Sequence, residues 1–390
     1  MRIALLTFNF WPRRAGIEYV VHDLATELHR AGHQVTVFAP RVRERFDEIE
    51  HTYGLVRFGL ALPGAFRSGL NRFVLRRIFS SQQRGRPFDV INVHSAYLPA
   101  SYALDLQRAF GVPVVVTCHG HDIQRDAPTG YGVRLRPRAD RIVRRNLRAA
   151  DRVVAISAAV YEELIPLVAP ERIACVPNGV RVDAAGEPSA GVLRRHGVPE
   201  GTVILAVGRN HAKKQFDVGL RAFRLLAHEQ PDARFVHVGR GGTALAGLAA
   251  ELGVADRFHA LGELDRDEVA AAYREAAIFL LPSAVESFGL VTVEAMAAGL
   301  PCVVTDAPGS RDLVAHGTTG LLAPIGDVAA LGEALIELAR DPARRRALGR
   351  AGRQVAVARY GWPAVAQAYV EVYREARAGR REAVPASMGS

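Results

Sequence analysis

Short, wholly apolar runs alternate with amphipathic stretches along most of this chain. Residues 2–8 (RIALLTF) are the first such run and read as a strand buried on both faces. Gly16 then opens a helical pattern carried by Val20, Leu24, Ala25 and Leu28, which Gly32 stops before the next strand at 35–39 (VTVFA). Further strands are expected at 90–93 (VINV), 113–117 (PVVVT), 152–156 (RVVAI) and 173–176 (IACV), with helical patterns between several of them. Alternation of this kind predicts an α/β fold built on a doubly wound parallel sheet.

The pattern then restarts. Residues 203–207 (VILAV) end in Gly208, a helix is expected over about 215–229, and 234–238 (RFVHV) ends in Gly239. Strands should follow at 258–261, 278–281, 302–305 and near 320–323. The chain therefore divides into two Rossmann-like units, 1–183 and 184–362. The segment 183–201, rich in Gly, Pro and Ala, reads as the linker between them. A last helix, about 363–378, follows Trp362-Pro363; periodicity does not assign it, and packing of 363–390 back onto the first unit is left open. Two such units imply a cleft between them, with ligands bound beyond the carboxyl ends of the strands.

Charge sharpens this picture. Residues 1–186 hold 26 Arg and no Lys against 17 acids, whereas the remaining residues are almost balanced, so the net charge of +10 sits almost wholly in the first half. Such an excess suits an anionic partner: a membrane surface, a phosphorylated acceptor or nucleic acid. Cys118, Cys175 and Cys302 are scattered, which excludes a disulfide scaffold and a zinc site and fits a reducing cytoplasm. No apolar run is long enough to span a bilayer, and the N-terminal MRIALLTFNFWP reads as a strand and not as a signal peptide.

The densest chemistry lies at 282–305, PSAVESFGLVTVEAMAAGLPCVVT. A strand ends at Pro282, Glu286 falls in the loop, Phe288-Gly289-Leu290 lead into a helix, and Glu294 sits in its first turns. The free N–H groups and partial positive charge of such a helix start favour a diphosphate, and a glycine beside it permits close approach. Because Glu286 precedes the helix, both carboxylates can point into one pocket from different ends of a ligand.

Two glutamates separated by seven residues and followed by AMAAGLP resemble the signature of retaining GT-B glycosyltransferases, the large bacterial family that includes phosphatidylinositol mannosyltransferases and sucrose synthases. The resemblance recurs in order at FWPRRAGIEYVVHDLATELHRAGHQVTVFA, VVVTCHGHD, ADRVVAIS, IACVPNGV, ILAVGRNHAKK and TTGLLAPIGD. It implies that Glu294 binds the nucleotide ribose and that Glu286 holds donor-sugar hydroxyls and supports developing positive charge. It implies backbone N–H donors to the diphosphate and sugar around Phe288, Gly289 and Leu290, and a phosphate clamp from Arg209 and Lys214. Gly16 matches the second glycine of an N-terminal Gly-Gly loop, and His119 matches the histidine beside the reaction centre. The region of Gly262 and Glu263 is expected to touch the base, and His94 and Asp122 to line the acceptor side.

The chain departs from that pattern at three places. Ala15 stands where the first glycine of the Gly-Gly loop is usual, Gln215 stands where a glycine follows the clamp lysine, and Lys213 competes with Lys214, which spacing favours. Asp265-Arg266-Asp267 spells a D-x-D, but at a helix start it reads as a cap and not as a metal site. Gly239-Arg240-Gly241-Gly242 lacks dinucleotide spacing, and Cys118 reads as buried filler. Arg141, Arg144, Arg145 and Arg148 share one helix face, and 66–79 mixes Arg67, Arg72, Arg76 and Arg77 with Phe66, Leu70, Phe73 and Ile78, a basic amphipathic pattern suited to anionic lipid. The resulting expectation is a metal-independent retaining transferase that takes a UDP-, GDP- or ADP-linked sugar to a hydroxyl acceptor (lipid-linked, glycan or small molecule), without nucleic acid. The enzyme would be cytoplasmic or peripheral on the inner membrane face. The rivals are a nucleotide-sugar epimerase on the same architecture and a basic lipid- or nucleic-acid-binding protein.

Overall fold

The computed structural model describes residues 1–11, 16–42, 50–59, 69–182 and 191–383. The chain forms two compact units, residues 1–179 with the segment from Trp362 onward, and Val180–Gly361. The first contains β1 (Arg2–Leu6), α1 (Gly16–Arg30), β2 (Gln34–Pro40), β3 (Gly54–Phe58), α2 (Leu70–Gln83), β4 (Val90–His94), α3 (Leu98–Phe110), β5 (Val114–Cys118), α4 (Pro137–Ala149), β6 (Arg152–Ala155), α5 (Ala158–Leu164) and β7 (Ile173–Cys175). The second contains α6 (Val192–Arg195), β8 (Val203–Val207), α7 (Phe216–Glu229), β9 (Arg234–Val238), α8 (Ala246–Glu251), β10 (Phe258–Gly262), α9 (Arg266–Glu275), β11 (Ile278–Leu281), α10 (Leu290–Ala297), β12 (Cys302–Thr305), α11 (Pro308–Arg311), β13 (Gly320–Ala323), α12 (Val328–Arg340) and α13 (Pro342–Tyr360). A last helix, α14 (Trp362–Ala383), returns to the first unit.

Each unit is built on one parallel sheet, with strand orders β3-β2-β1-β4-β5-β6-β7 and β10-β9-β8-β11-β12-β13. The central strands read as unbroken apolar runs because both their faces are buried: Ile3–Leu6, Val114–Val116, Val203–Val207 and Ile278–Leu281 are all within the core. In each sheet the order reverses beside the strand that comes first, between β1 and β4 and between β8 and β11. The loops leaving those strands diverge to opposite sides of the sheet, which opens a crevice at their carboxyl ends.

Two features differ from the sequence reading. Strand β3 was not anticipated; it is an edge strand with an exposed Gly54 and only Phe58 fully buried. Within the expected linker 183–201, residues 183–190 lie outside the described residues. The rest belongs to the second unit: Val192 and Leu193 are buried, and their N–H groups donate to the Glu275 carboxylate at 2.8 and 3.0 Å, which fixes the start of α6. Of the basic stretch 66–79, residues 66–68 lie outside the described residues. Helix α2 buries Asn71, Leu75 and Phe79 and leaves Leu70 and Phe73 exposed beside Arg76 and Arg77, the side that the basic amphipathic pattern offers to anionic lipid.

Helix α14 is held to the first unit by specific polar contacts. Trp362 Nε1 donates to Asp23 Oδ2 at 3.2 Å, Tyr373 OH donates to Asn92 Oδ1 at 2.9 Å, and Arg377 and Arg380 pair with Asp89 and Asp151. Gly179, the last residue of the first segment, packs closely on the Trp362 indole; a Cβ there would come within 2.2 Å of the ring.

Candidate active site

In the second unit the candidate groups gather on the loops after β8 and β11, the two strands that flank the reversal in strand order. Gly208 and Arg209 leave β8, and a single 3₁₀ turn, Ala212–Lys214, precedes α7. Lys214 Nζ meets Glu286 Oε2 at 2.6 Å, and both side chains are largely buried (14% and 9% exposed). Lys213 lies within electrostatic reach of Arg209 and Glu286, while its carbonyl accepts the Ala284 N–H at 2.8 Å. Lys214 therefore makes the direct contact with Glu286, and Lys213 ties the two loops together through its backbone. Burial alone would push the Glu286 carboxyl up. The charges of Lys214 and Lys213, with hydrogen bonds from Lys214 and the Ser287 N–H, outweigh it and hold the group below the usual carboxylate range.

Helix α10 begins just beyond this pair. Gly289 stands before it in the left-handed region (φ 90°), a conformation glycine adopts without penalty; the Thr292 N–H turns back to the Gly289 carbonyl at 2.9 Å, while those of Leu290 and Val291 have no intrahelical acceptor. The Phe288 side chain is packing, edge-on to Tyr360 at 5.8 Å, so only its backbone is open to a donor role. Gly309 holds the loop from behind, for a Cβ there would lie 2.6 Å from the Glu286 carbonyl. One turn along α10, Glu294 Oε2 accepts from the buried Tyr273 hydroxyl at 3.2 Å. Tyr273, on α9, is a site residue that residue type alone did not mark. Glu263 follows β10 on the surface and is gripped by Arg240 through both carboxylate oxygens at 3.2 Å.

Gln215 occupies the other departure from the usual pattern, and the structure shows its consequence. It sits at φ 47°, ψ 39°, and its buried Oε1 has no hydrogen-bond partner among the described residues. A left-handed backbone costs a residue with a Cβ about 1–2 kcal/mol. Gln215→Gly is accordingly expected to raise the melting temperature by roughly 2–4 °C, read by calorimetry; an unchanged or lower value would show that the side chain contributes more than its backbone costs.

In the first unit the candidates cluster at the ends of β4 and β5. His94 Nδ1 and His119 Nε2 are 3.0 Å apart with the ring planes within 20° of parallel, and Asp122 accepts from the N–H groups of Ala96 (2.7 Å) and His119 (3.0 Å). Burial pushes His119 down to about 4; burial, then the neighbouring His119, lowers His94 further from the ordinary imidazole value. Burial raises Asp122 against the opposing effect of its backbone N–H donors. Gly16 is the exposed first residue of α1, on the β1 side of the reversal; Ala15 lies outside the described residues. Cys118 is fully buried and its thiol is pushed well up by burial, which removes it as a nucleophile.

Asp265 is the N-cap of α9: it accepts from the N–H groups of Asp267 and Glu268, and Glu268 closes the reciprocal bond of a capping box. Among the described residues, no group of three His, Cys, Asp or Glu is placed to hold a metal ion, and no helix is long and apolar enough to cross a membrane.

Comparison with known proteins follows the same division. Residues 14–184 match Glycosyltransferase Family 4 and residues 194–355 match Glycosyl transferases group 1. The chain is 33% identical to a D-inositol 3-phosphate glycosyltransferase from Thermobispora bispora, over 96% of this chain and 93% of that protein. It belongs to the group 1 glycosyltransferases. A phosphatidyl-myo-inositol mannosyltransferase from Mycobacterium leprae is 30% identical over 96% of both chains. Among solved structures, sucrose-phosphate synthase from Thermosynechococcus elongatus superposes with a TM-score of 0.81 at 22% identity, covering 97% of this chain and all of that one. The Anabaena protein HepE, solved with UDP-glucose, gives 0.74 at 19% identity over 95% and 99%. The fold of this glycosyltransferase is thus GT-B, with a seven-stranded and a six-stranded parallel sheet.

Proposed function

We propose that this glycosyltransferase moves a sugar, with retention, from a nucleoside diphosphate sugar taken by the second unit to a hydroxyl acceptor taken by the first. The observation that carries this reading is the buried Lys214–Glu286 pair set just ahead of the α10 N-terminus, at the point where strand order reverses. The ammonium and the first-turn N–H groups form a cationic seat suited to a diphosphate. As the bond to the anomeric carbon breaks, negative charge builds on the departing phosphate and positive charge on the sugar. Lys214 and Arg209 oppose the first, and the ionised Glu286 supports the second. Glu294, braced by Tyr273, suits the ribose hydroxyls. Retention follows if the acceptor attacks on the face the diphosphate leaves, with the departing phosphate helping to take the acceptor proton. The cations already in place let this proceed without a metal ion.

The relatives direct the choice of substrates. HepE was solved with UDP and UDP-glucose, and two relatives are named for inositol 3-phosphate and phosphatidyl-myo-inositol. A phosphorylated acceptor also suits the arginine excess of the first half. The same excess, with Leu70 and Phe73 exposed beside Arg76 and Arg77, supports contact with an anionic membrane surface. The test is incubation with UDP-, GDP- and ADP-sugars in EDTA, with and without inositol 3-phosphate or phosphatidylinositol vesicles, with the product's anomeric configuration read by NMR. Acceptor-dependent transfer with the donor's configuration preserved is expected. An inverted product, or donor turnover indifferent to any acceptor, would overturn the reading.

A further inference from the structure

The carboxyl ends of β4 and β5 carry a line of buried polar side chains on one face. Asn92 Nδ2 donates to Thr117 Oγ1 at 2.9 Å, His94 stands opposite Thr117 in the strand register, and His119 follows one step on. The imidazoles of His94 and His119 share one hydrogen bond of 3.0 Å between Nδ1 of the first and Nε2 of the second. The other nitrogen of His94, Nε2, is buried without a hydrogen-bond partner among the described residues. The backbone beside it is held under strain: Ser95 has φ 141°, and its neighbour Ala96 is clamped from both sides, its N–H by Asp122 and its carbonyl by Asn146 Nδ2 at 3.0 Å. Strain that surrounding contacts hold in place is a mark of a working position.

Two neutral imidazoles joined by one hydrogen bond can place the proton in two ways. If His119 Nε2–H donated to His94 Nδ1, then His94 would carry its own hydrogen on Nε2, a buried donor with nothing to accept it. If His94 Nδ1–H donates instead, the unpartnered atom is a bare lone pair. A buried donor left unpaired is the rarer and costlier arrangement. The second assignment puts the hydrogen of His119 on Nδ1. Burial keeps both rings neutral near pH 7, so neither arrangement is bypassed by a second proton.

We infer that His94 is a positioning residue that fixes the tautomer of His119, so that His119 acts on its substrate as a neutral Nδ1–H hydrogen-bond donor and not as a proton acceptor. The role in transfer rests on the function proposed above; the tautomer itself does not.

The experiment uses the full chain labelled with ¹⁵N-histidine, with the His119 signals assigned by their loss in His119→Gln. In the wild type, His119 Nε2 is expected to resonate as an unprotonated nitrogen and Nδ1 as a protonated one. His94→Asn keeps an N–H₂ near the Nδ1 position, so it should keep the tautomer and hold turnover within about threefold. His94→Leu should shift the proton to Nε2 and lower kcat about tenfold or more, with donor KM unchanged, as expected when an imidazole loses the group that orients it. A wild-type spectrum with the proton on Nε2 would overturn the inference, as would a His94→Leu protein with tautomer and kcat unchanged. If His94→Leu does not fold, the wild-type and Asn spectra decide. If the wild type transfers no sugar, the functional reading fails while the spectra still judge the tautomer.

Discussion

Lys214→Ala is expected to lower sugar transfer by about a hundredfold to a thousandfold, the loss typical when one fixed partner of transition-state charge is removed. The argument is local. Lys214 is the cation in direct contact with Glu286, at 2.6 Å, and sits on the loop that leaves the first strand of the second sheet. Its removal also leaves a buried carboxylate with a weaker set of opposing charges, Lys213 and the Ser287 N–H. Glu286 should therefore titrate at a higher pH in the variant. In the wild type its carboxyl lies below the ordinary value, so the stability from the pair is present above the carboxylate range and is lost as the pH falls through the native pKa. In Lys214→Ala the acid limb of the pH–rate profile should move to higher pH. Steady-state rates across pH, with circular dichroism to confirm folding, check both parts; a variant with near wild-type kcat and an unmoved acid limb would remove Lys214 from the reaction.

Glu294→Ala is expected to weaken donor binding by roughly ten- to a hundredfold, matching the 1.5–3 kcal/mol of hydrogen bonds made to a charged group. The substitution also strips the buried Tyr273 hydroxyl of this acceptor, so a loss of stability accompanies it. Glu294→Gln separates the two effects: its carbonyl can still accept from Tyr273, while the charge that grips two hydroxyls is gone. Calorimetric titration with the active nucleotide sugar should show weakened binding in both variants, with the melting temperature lowered mainly in the alanine one. Unchanged affinity in both would exclude Glu294 from the donor site.

Much of the architecture was legible in the sequence because parallel strands buried on both faces are written as plain apolar runs. Ile3–Leu6 and Val203–Val207 announce themselves this way, and the recurrence of the pattern near residue 203 announces the second sheet. The edge strand β3 was missed for the same physical reason. Gly54–Phe58 has one neighbour, β2, and an exposed start, so it needs no apolar run. In α2 the pattern is two-sided, with Leu70 and Phe73 opposite Leu75 and Phe79, and packing within the first unit covers Leu75 and Phe79.

Chemistry and spacing made the placement of three groups legible: Glu286 stands ahead of the helix, Lys214 reaches it directly, and Asp265 is a cap. What sequence could not supply is pairing across distant segments. Tyr273 meets Glu294 only because α9 packs beside α10, and His94 meets His119 only because β4 and β5 are neighbours in register. The strain at Gln215 was visible as a departure from a usual glycine, but its left-handed backbone and orphaned Oε1 belong to the fold.

The most direct measurement is a crystal structure of the full chain with the nucleoside diphosphate that raises its melting temperature most in a panel of UDP, GDP and ADP. The account predicts phosphate oxygens within hydrogen-bond reach of Lys214 Nζ and the first N–H groups of α10, and ribose hydroxyls on Glu294. A diphosphate bound elsewhere, with the Lys214–Glu286 pair untouched and Glu294 remote from the ribose, would contradict it.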